Sequence, residues 1–201
     1  MPTPAAGGAR HNSEKGFSLL ELMISVVIIL VMVAIAIPTI DRSYQIYQLN
    51  RTASQVADVM KLTRFAAIRR NTTVNCTVAQ IGGVWNVWTN ASSTTPTATP
   101  GAQDRQVVLP GAYTVLAAAA APSPSTMGFP TAPTAVSPSS TTNFSFDAHG
   151  GVSVAGATAV YVLYLGNSGG ARYGFRAVTL RPSGVTQLWS APQGGPWRQF
   201  Q

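Results

Sequence analysis

The stretch FSLLELMISVVIILVMVAIAI occupies residues 17–37 and decides how the rest of the chain is interpreted. It contains 21 residues and one charged side chain, that of Glu21. A helix of this length covers about 30 Å, the thickness of the hydrocarbon core of a bilayer. Arg10 and Lys15 precede the stretch, and the next basic residue is Arg42. The positive-inside tendency therefore predicts a cytoplasmic N-terminus and an exported C-terminal part.

Two ordinary explanations of this stretch are a single-pass membrane anchor and a secretory signal peptide. The signal-peptide explanation has some support, because Ala34-Ile35-Ala36 resembles a small-x-small cleavage site. Glu21 argues against both explanations. A charge at the centre of a membrane helix costs about 2.5–3.5 kcal/mol, and less near the interface. Neither an anchor nor a signal peptide requires that cost, so Glu21 is predicted to have a partner.

The residues around Glu21 resemble the class III signal of type IV prepilins and pseudopilins, in the run Lys15-Gly16-Phe17-Ser18-Leu19-Leu20-Glu21. The resemblance implies that residues 1–16 are a leader peptide. A prepilin peptidase would cut after Gly16 on the cytoplasmic side and methylate the new amine of Phe17. Residues 17–37 would then form both the membrane-spanning segment and the filament core.

In this family, the glutamate at the fifth mature position, here Glu21, is thought to neutralise the N-terminal amine of a neighbouring subunit. An amine and a carboxylate that are each costly in lipid become tolerable as a pair. Pro38 would be the twenty-second mature residue, where pilins often carry a proline that kinks the helix.

Residues 39–70 contain no Gly and no Pro and continue the helical pattern. An apolar stripe recurs there at three- and four-residue steps, formed by Ile46, Leu49, Ala53, Val56 and Met60. We therefore predict one helix over residues 17–71, ended by Asn71-Thr72-Thr73, with its stripe packed on a β-rich domain formed by residues 72–201.

A narrower resemblance, to the GspH/FimT branch of pseudopilins and minor pilins, begins in this helix. It is carried by Arg51-x-Ala53, by Thr63-Arg64-Phe65-Ala66-Ala67-Ile68-Arg69-Arg70-Asn71-Thr72-Thr73-Val74-Asn75-Cys76, and by Phe144-x-Phe146-Asp147 with Gly150. Thr63 stands where the family usually has Ala. The implied architecture is an α+β, pilin-like fold in which a long N-terminal helix packs on an antiparallel sheet.

Turn residues divide residues 72–201 into short strands. We predict a hairpin of 74–81 with 84–89 around Gly82-Gly83, and a second of 106–109 with 113–116 around Pro110-Gly111. Further strands are expected at 143–148, 152–154, 159–165, 172–181 and 185–190, the last two joined by Pro182-Ser183-Gly184. The Ser/Thr/Pro-rich segments 90–101 and 117–142 are expected to be exposed loops that bury little apolar surface.

The composition contains no recognisable catalytic, cofactor or metal site. Cys76 is the only cysteine, so no intrachain disulfide is possible and a buried apolar role is expected. His11 and His149 are far apart, and the acids outside the leader and the helix are Asp104 and Asp147. An anchored enzyme is therefore disfavoured, and neither a cofactor nor a bound metal is expected.

The resemblance implies a structural role, as a minor subunit of a type II secretion pseudopilus or of a type IV pilus. The expected partners are a prepilin peptidase, other pilins or pseudopilins, and an inner-membrane assembly platform. The protein would be a single-pass protein of the bacterial inner membrane, with an exported C-terminal domain, before it enters the filament.

The alternative is a minor pilin at the filament tip that binds DNA or a surface. The net charge of +7 comes from 13 basic and six acidic residues, and the arginines are spread along the chain. Arg172, Arg176 and Arg181 would be the DNA contacts, with the first two on one strand face. Because a phosphate-tracking surface normally needs more bases than this, nucleic acid is not expected as a partner.

Overall fold

The structure is a computed structural model that describes residues 18–91, 94–167 and 171–200. The chain forms two compact units, Met1–Asp41 and Arg42–Gln201. In the first unit, every described residue is exposed. These residues belong to one helix, apart from Ser18, which precedes it. The second unit contains all the strands of the described chain.

One helix, α1, runs over Leu19–Arg70 and includes Pro38 in its interior. Its end agrees with the prediction, since Asn71 takes a left-handed conformation at φ 50°. Asn71 N–H donates to the Ile68 carbonyl at 3.2 Å, and Thr72 N–H donates to the Ala67 carbonyl at 3.2 Å. These bonds satisfy carbonyls at the end of the helix that would otherwise lack partners.

The second half of α1 packs its apolar stripe into the β-rich unit. Of the predicted stripe, Ile46 is half-buried and the other four residues are buried. The buried residues of α1 are Leu49, Thr52, Ala53, Val56, Ala57, Val59, Met60, Thr63 and Ala67. Thr63, which stands where the GspH/FimT pattern has Ala, bonds through its hydroxyl to the Val59 carbonyl and to the Thr89 hydroxyl. Its buried polar atom is therefore satisfied.

Eleven strands follow within the described residues. In chain order they are β1 (Val74–Ile81), β2 (Val84–Thr89), β3 (Gln106–Val108), β4 (Tyr113–Leu116), β5 (Thr134–Ala135), β6 (Thr142–Phe146), β7 (Val152–Ser153), β8 (Tyr161–Asn167), β9 (Phe175–Leu180), β10 (Thr186–Ala191) and β11 (Arg198–Gln199). Three short 3-10 helices lie at Ala118–Ala120, Pro124–Met127 and Ala171–Tyr173.

The strands form two sheets, with orders β3-β2-β1-β6-β7 and β11-β10-β9-β8-β4. All neighbours in these orders are antiparallel, and β5 adds a parallel pairing with β8. The predicted hairpin around Gly82-Gly83 is confirmed, with Ile81 opposite Val84. The predicted turn at Pro182-Ser183-Gly184, between β9 and β10, is also confirmed. The α+β fold class therefore agrees with the prediction.

The predicted hairpin around Pro110-Gly111 is wrong. β3 pairs with β2, with Val107 opposite Val87, whereas β4 pairs with β8 in the other sheet, with Val115 opposite Leu165. The intervening segment crosses from one sheet to the other. Leu109 and Tyr113, on either side of it, are both buried in the core that the two sheets share. Burying these two side chains is compatible with a crossover between layers.

The main core joins α1 to both sheets. Leu49, Val56 and Met60 of α1 pack with first-sheet residues such as Phe144 and second-sheet residues such as Leu163. The second sheet is also buried on its opposite face. There Val162, Tyr164, Ala177 and Trp189 form a separate cluster with Met127 and Trp197. The second sheet is therefore covered on both sides.

The prediction that 117–142 is an exposed loop is wrong at two apolar positions, whereas residues 117–120 are exposed as expected. Met127 and Val136 are buried, at 4% and 3% exposure, and β5 joins the edge of β8. Trp197 fastens the segment, because its indole N–H donates to the Pro122 carbonyl at 3.1 Å. Its backbone N–H donates to the Thr126 hydroxyl at 2.9 Å. A few apolar residues in a Pro-rich segment thus suffice to cover a sheet face.

Arg64 of α1 lies against two glycine turns. A Cβ built on Gly150 would meet Arg64 Nε at 2.7 Å, and a Cβ built on Gly184 would meet Arg64 Cδ at 2.9 Å. The two turns also touch, because the same Gly184 Cβ would lie 2.0 Å from the Gly150 carbonyl oxygen. Gly184 has φ +74°, a conformation that side chains disfavour.

We expect Gly184→Ala to lower the free energy of unfolding by about 1–3 kcal/mol, because it adds both backbone strain and a clash. Gly111→Ala is the matched control, since its Cβ meets nothing within 4 Å. The control should change stability by no more than about 0.5 kcal/mol. Urea unfolding of the full chain, followed by tryptophan fluorescence, measures both. Equal effects of the two variants would contradict the described turn contact.

Candidate functional site

The first candidate site is the N-terminal part of α1. Gly16 and Phe17, the predicted cleavage and methylation residues, lie outside the described residues. Glu21 is the acidic residue in the first turn of α1, where the helix dipole favours a negative charge. Ser25 Oγ donates to the backbone carbonyl of Glu21 at 2.7 Å, so this bond does not involve the Glu21 carboxylate.

The helical surface around Glu21 is apolar on every face. Leu20, Met23 and Val27 are exposed on one face, and Ile29 and Leu30 are exposed elsewhere on the same stretch. The stretch has the length and composition needed to cross a membrane, and none of it is buried in the protein. A helix that is apolar all round requires burial in lipid or between partners.

The Glu21 carboxylate has no cation of its own in this stretch. The sequence contains no Lys or Arg between Glu21 and Arg42, so no helical neighbour three or four residues further along can pair with it. A charge buried without a compensating partner is strongly destabilising. Burial of this helix would therefore leave the carboxylate in need of a partner from outside the stretch.

The arginines predicted as DNA contacts lie in different surroundings. Arg172 is in the 3-10 helix Ala171–Tyr173, with its guanidinium 5.8 Å from the centre of the Tyr173 ring. Arg176 is on β9 and is buried. Arg181 follows β9, and its Nε donates to Gln187 Oε1 at 3.3 Å. The prediction that Arg172 and Arg176 share a strand face is wrong, because Gly174, at φ +76°, precedes the start of β9.

Arg172 and Arg176 nevertheless line the same cleft, of about 640 Å³. Arg42 and Arg198 line it as well, and sequence reasoning did not identify either of them. Arg181 is not among its lining residues and lies over the Phe129 ring instead, at 5.6 Å. The cleft unites residues that are up to about 150 positions apart, and their scattered spacing in the sequence carries no signal of this grouping.

The residues weighed for enzymatic chemistry have local structural roles. Asp147 Oδ1 accepts from the backbone N–H groups of His149 and Gly151, at 2.8 and 2.9 Å. Asp104 accepts from two backbone N–H groups of its own loop. Burial raises the pKa of the Cys76 thiol to about 12, as expected of a buried apolar cysteine. Within residues 18–91, 94–167 and 171–200, no three His, Cys, Asp or Glu residues are grouped to hold a metal ion.

Comparison with known proteins identifies the N-terminal segment. Residues 11–37 match the family model of the prokaryotic N-terminal methylation motif. The matched region contains Gly16, Phe17 and Glu21. No curated protein and no solved structure matches the chain. The motif points to a type IV pilin-like substrate of a prepilin peptidase, and together with the exposed apolar helix it suggests membrane anchoring.

Proposed function

We propose that this protein is a minor pilin or minor pseudopilin, a structural subunit that assembles through the N-terminal part of α1. Prepilin peptidase cuts it between Gly16 and Phe17 and methylates the Phe17 amine. The observation that carries the proposal is a coincidence within one segment. The methylation-motif match at residues 11–37 includes the first part of α1, residues 19–37, which is apolar on all faces, unburied, and interrupted by the single carboxylate of Glu21.

The chemistry of assembly follows from the Glu21 carboxylate, which has no basic side chain within residues 18–41 to pair with. Cleavage leaves an amine on Phe17, which stays positively charged when it carries one methyl group. As a subunit enters the filament, this amine meets the Glu21 carboxylate of a neighbouring subunit. The pair removes two separate costs of placing charge in an apolar environment. In this proposal, the Glu21 carboxylate is stable in an apolar environment only when the subunit is part of a filament.

Assignment to the minor GspH/FimT branch is supported by contacts between the segments that resemble it. Arg64, from the Thr63–Cys76 stretch, packs on Gly150 and Gly184. Gly150 belongs to the third stretch, which starts at Phe144, and Gly184 belongs to the turn between β9 and β10. The inner-membrane assembly platform would then receive the processed subunit, with the β-rich domain on the exported side.

A filament-tip subunit that binds DNA is the second candidate function. It is favoured by the shared cleft of Arg172 and Arg176, and it is weakened by the separate position of Arg181. The structural role explains the methylation motif without requiring a ligand, and it is therefore the preferred proposal.

Co-expression with a prepilin peptidase should shorten the wild-type chain by its first 16 residues. Gly16→Val should block this shortening, because a branched side chain beside the scissile bond replaces a hydrogen. Immunoblotting of membranes measures the size. Ala36→Leu is the control for ordinary signal-peptide cleavage, and it should leave processing unchanged. Processing that is lost in Ala36→Leu and kept in Gly16→Val would refute the proposal.

Glu21→Gln should be cleaved normally but should enter filaments at least about tenfold less than wild type, because it leaves the amine of the adjoining subunit without a counter-charge. The measurement is the fraction of the chain that is recovered with sheared filaments. Ser25→Ala is the matched control one helical turn away, since the Ser25 hydroxyl bonds to a backbone carbonyl. Assembly of Glu21→Gln at the wild-type level would show that the carboxylate has no part in assembly.

A further inference from the structure

The cleft described above collects four arginines from separate elements of the second unit. Arg42 comes from α1, Arg172 from the 3-10 helix Ala171–Tyr173, Arg176 from β9 and Arg198 from β11. Ser190 and Gln193 add polar side chains to the lining. Within the described residues, the lining includes no aspartate and no glutamate. Asp41 precedes Arg42 in the chain and is the acid nearest to it in sequence.

Arg176 is the most informative member, because the residue is buried, with 7% of its surface exposed. Its Nε donates to Asn50 Oδ1, and its Nη1 donates to the Phe175 carbonyl at 2.7 Å. Both acceptors are neutral, so they orient the guanidinium without cancelling its charge. Burial lowers the pKa of Arg176, as expected when a cation is removed from water. Buried charges in proteins are normally paired with an opposite charge.

The three aspartates of the second unit have partners elsewhere. Asp58 pairs with Lys61 at 3.6 Å, and Asp104 and Asp147 accept from backbone N–H groups of their own loops. Arg42, Arg172 and Arg198 are exposed, so they can adjust to a ligand while Arg176 stays fixed. This combination of one oriented and three adaptable guanidinium groups is suited to an anion with several acceptor oxygens.

Phosphate fits this description better than a carboxylate does. A guanidinium fork makes two parallel hydrogen bonds to phosphate oxygens, and one phosphate has enough lone pairs for more than one arginine. A carboxylate is largely satisfied by one fork. The volume of about 640 Å³ leaves room for groups esterified to the phosphate.

We propose that this cleft binds a phosphate group, which is carried by an anionic phospholipid head group or is free in solution. The head group is the favoured source because Arg42 follows the apolar stretch of residues 17–37 by only five positions in the sequence. That preference rests on the proposed function, in which the stretch lies in a membrane. The site would hold the exported domain to the lipid surface before the subunit is drawn into a filament.

The test uses the full chain in micelles of an uncharged detergent. Short-chain phosphatidylglycerol, inorganic phosphate and a single-stranded oligonucleotide are titrated separately, and binding is followed by isothermal calorimetry. Arg172→Gln/Arg198→Gln should weaken phosphatidylglycerol binding by about tenfold or more, because it removes two charge-assisted contacts. Arg69→Gln/Arg105→Gln is the matched control, with the same loss of charge on exposed arginines outside the cleft. It should bind within about twofold of wild type.

The arms of the experiment separate the sources of phosphate. Tighter binding of phosphatidylglycerol than of inorganic phosphate, lost in the cleft variant, supports a head-group site, whereas equal binding supports a free phosphate site. Three results would overturn the proposal. These are no binding of either probe, equal losses in the cleft and control variants, or oligonucleotide binding that alone depends on the cleft arginines. Because the assay needs neither cleavage nor filaments, its failure is distinct from failure of the proposed function.

Discussion

A carboxylate in a helix that is apolar on every face is a costly arrangement unless a cation reaches it, and Glu21 is in this position. The stretch around it offers no basic side chain, and its large side chains are unburied in the monomer. Exposure of the apolar surface to water is unfavourable, and so is transfer of the charge into lipid. In the proposed filament of similar helices, neighbouring helices would cover the apolar faces and a neighbouring amine would pair with the carboxylate.

The second half of α1 has a different role, because it packs against the β-rich unit. From Leu49 onward its pattern becomes one-sided, and the apolar side chains enter a core that both sheets share. Thr63 and Arg64 then specify how the helix meets the strands. The Thr63 hydroxyl finds Thr89 on β2, and Arg64 fits over turns where only glycine leaves space. One continuous helix thus carries a first segment that is apolar on every face and a second segment that is apolar on one face and packs on the sheets.

Local signals predicted the parts of this fold that are local. The long helix, its end at Asn71 and the hairpin around Gly82-Gly83 depend on residues that are close in sequence. The separation of β3 from β4 was not predictable in this way, because it depends on which distant strand offers a free edge. The apolar run of β8 is typical of a strand covered on both faces, but the prediction of an exposed loop over 117–142 did not take this signal into account. Met127 of that segment packs on β8. The arginine cleft is the extreme case, since only the finished fold brings Arg42, Arg176 and Arg198 together.

The measurement that tests this account most directly is the intact mass of the mature chain, purified from membranes of cells that contain a prepilin peptidase. The account predicts a chain that begins at Phe17 and is heavier than the unmodified sequence by one methyl group, which fragmentation places on the N-terminal amine. A chain that still begins at Met1, or one cut after Ala36 and beginning at Ile37, would contradict it. In either case the Glu21 carboxylate would lose the role from which the rest of the account follows.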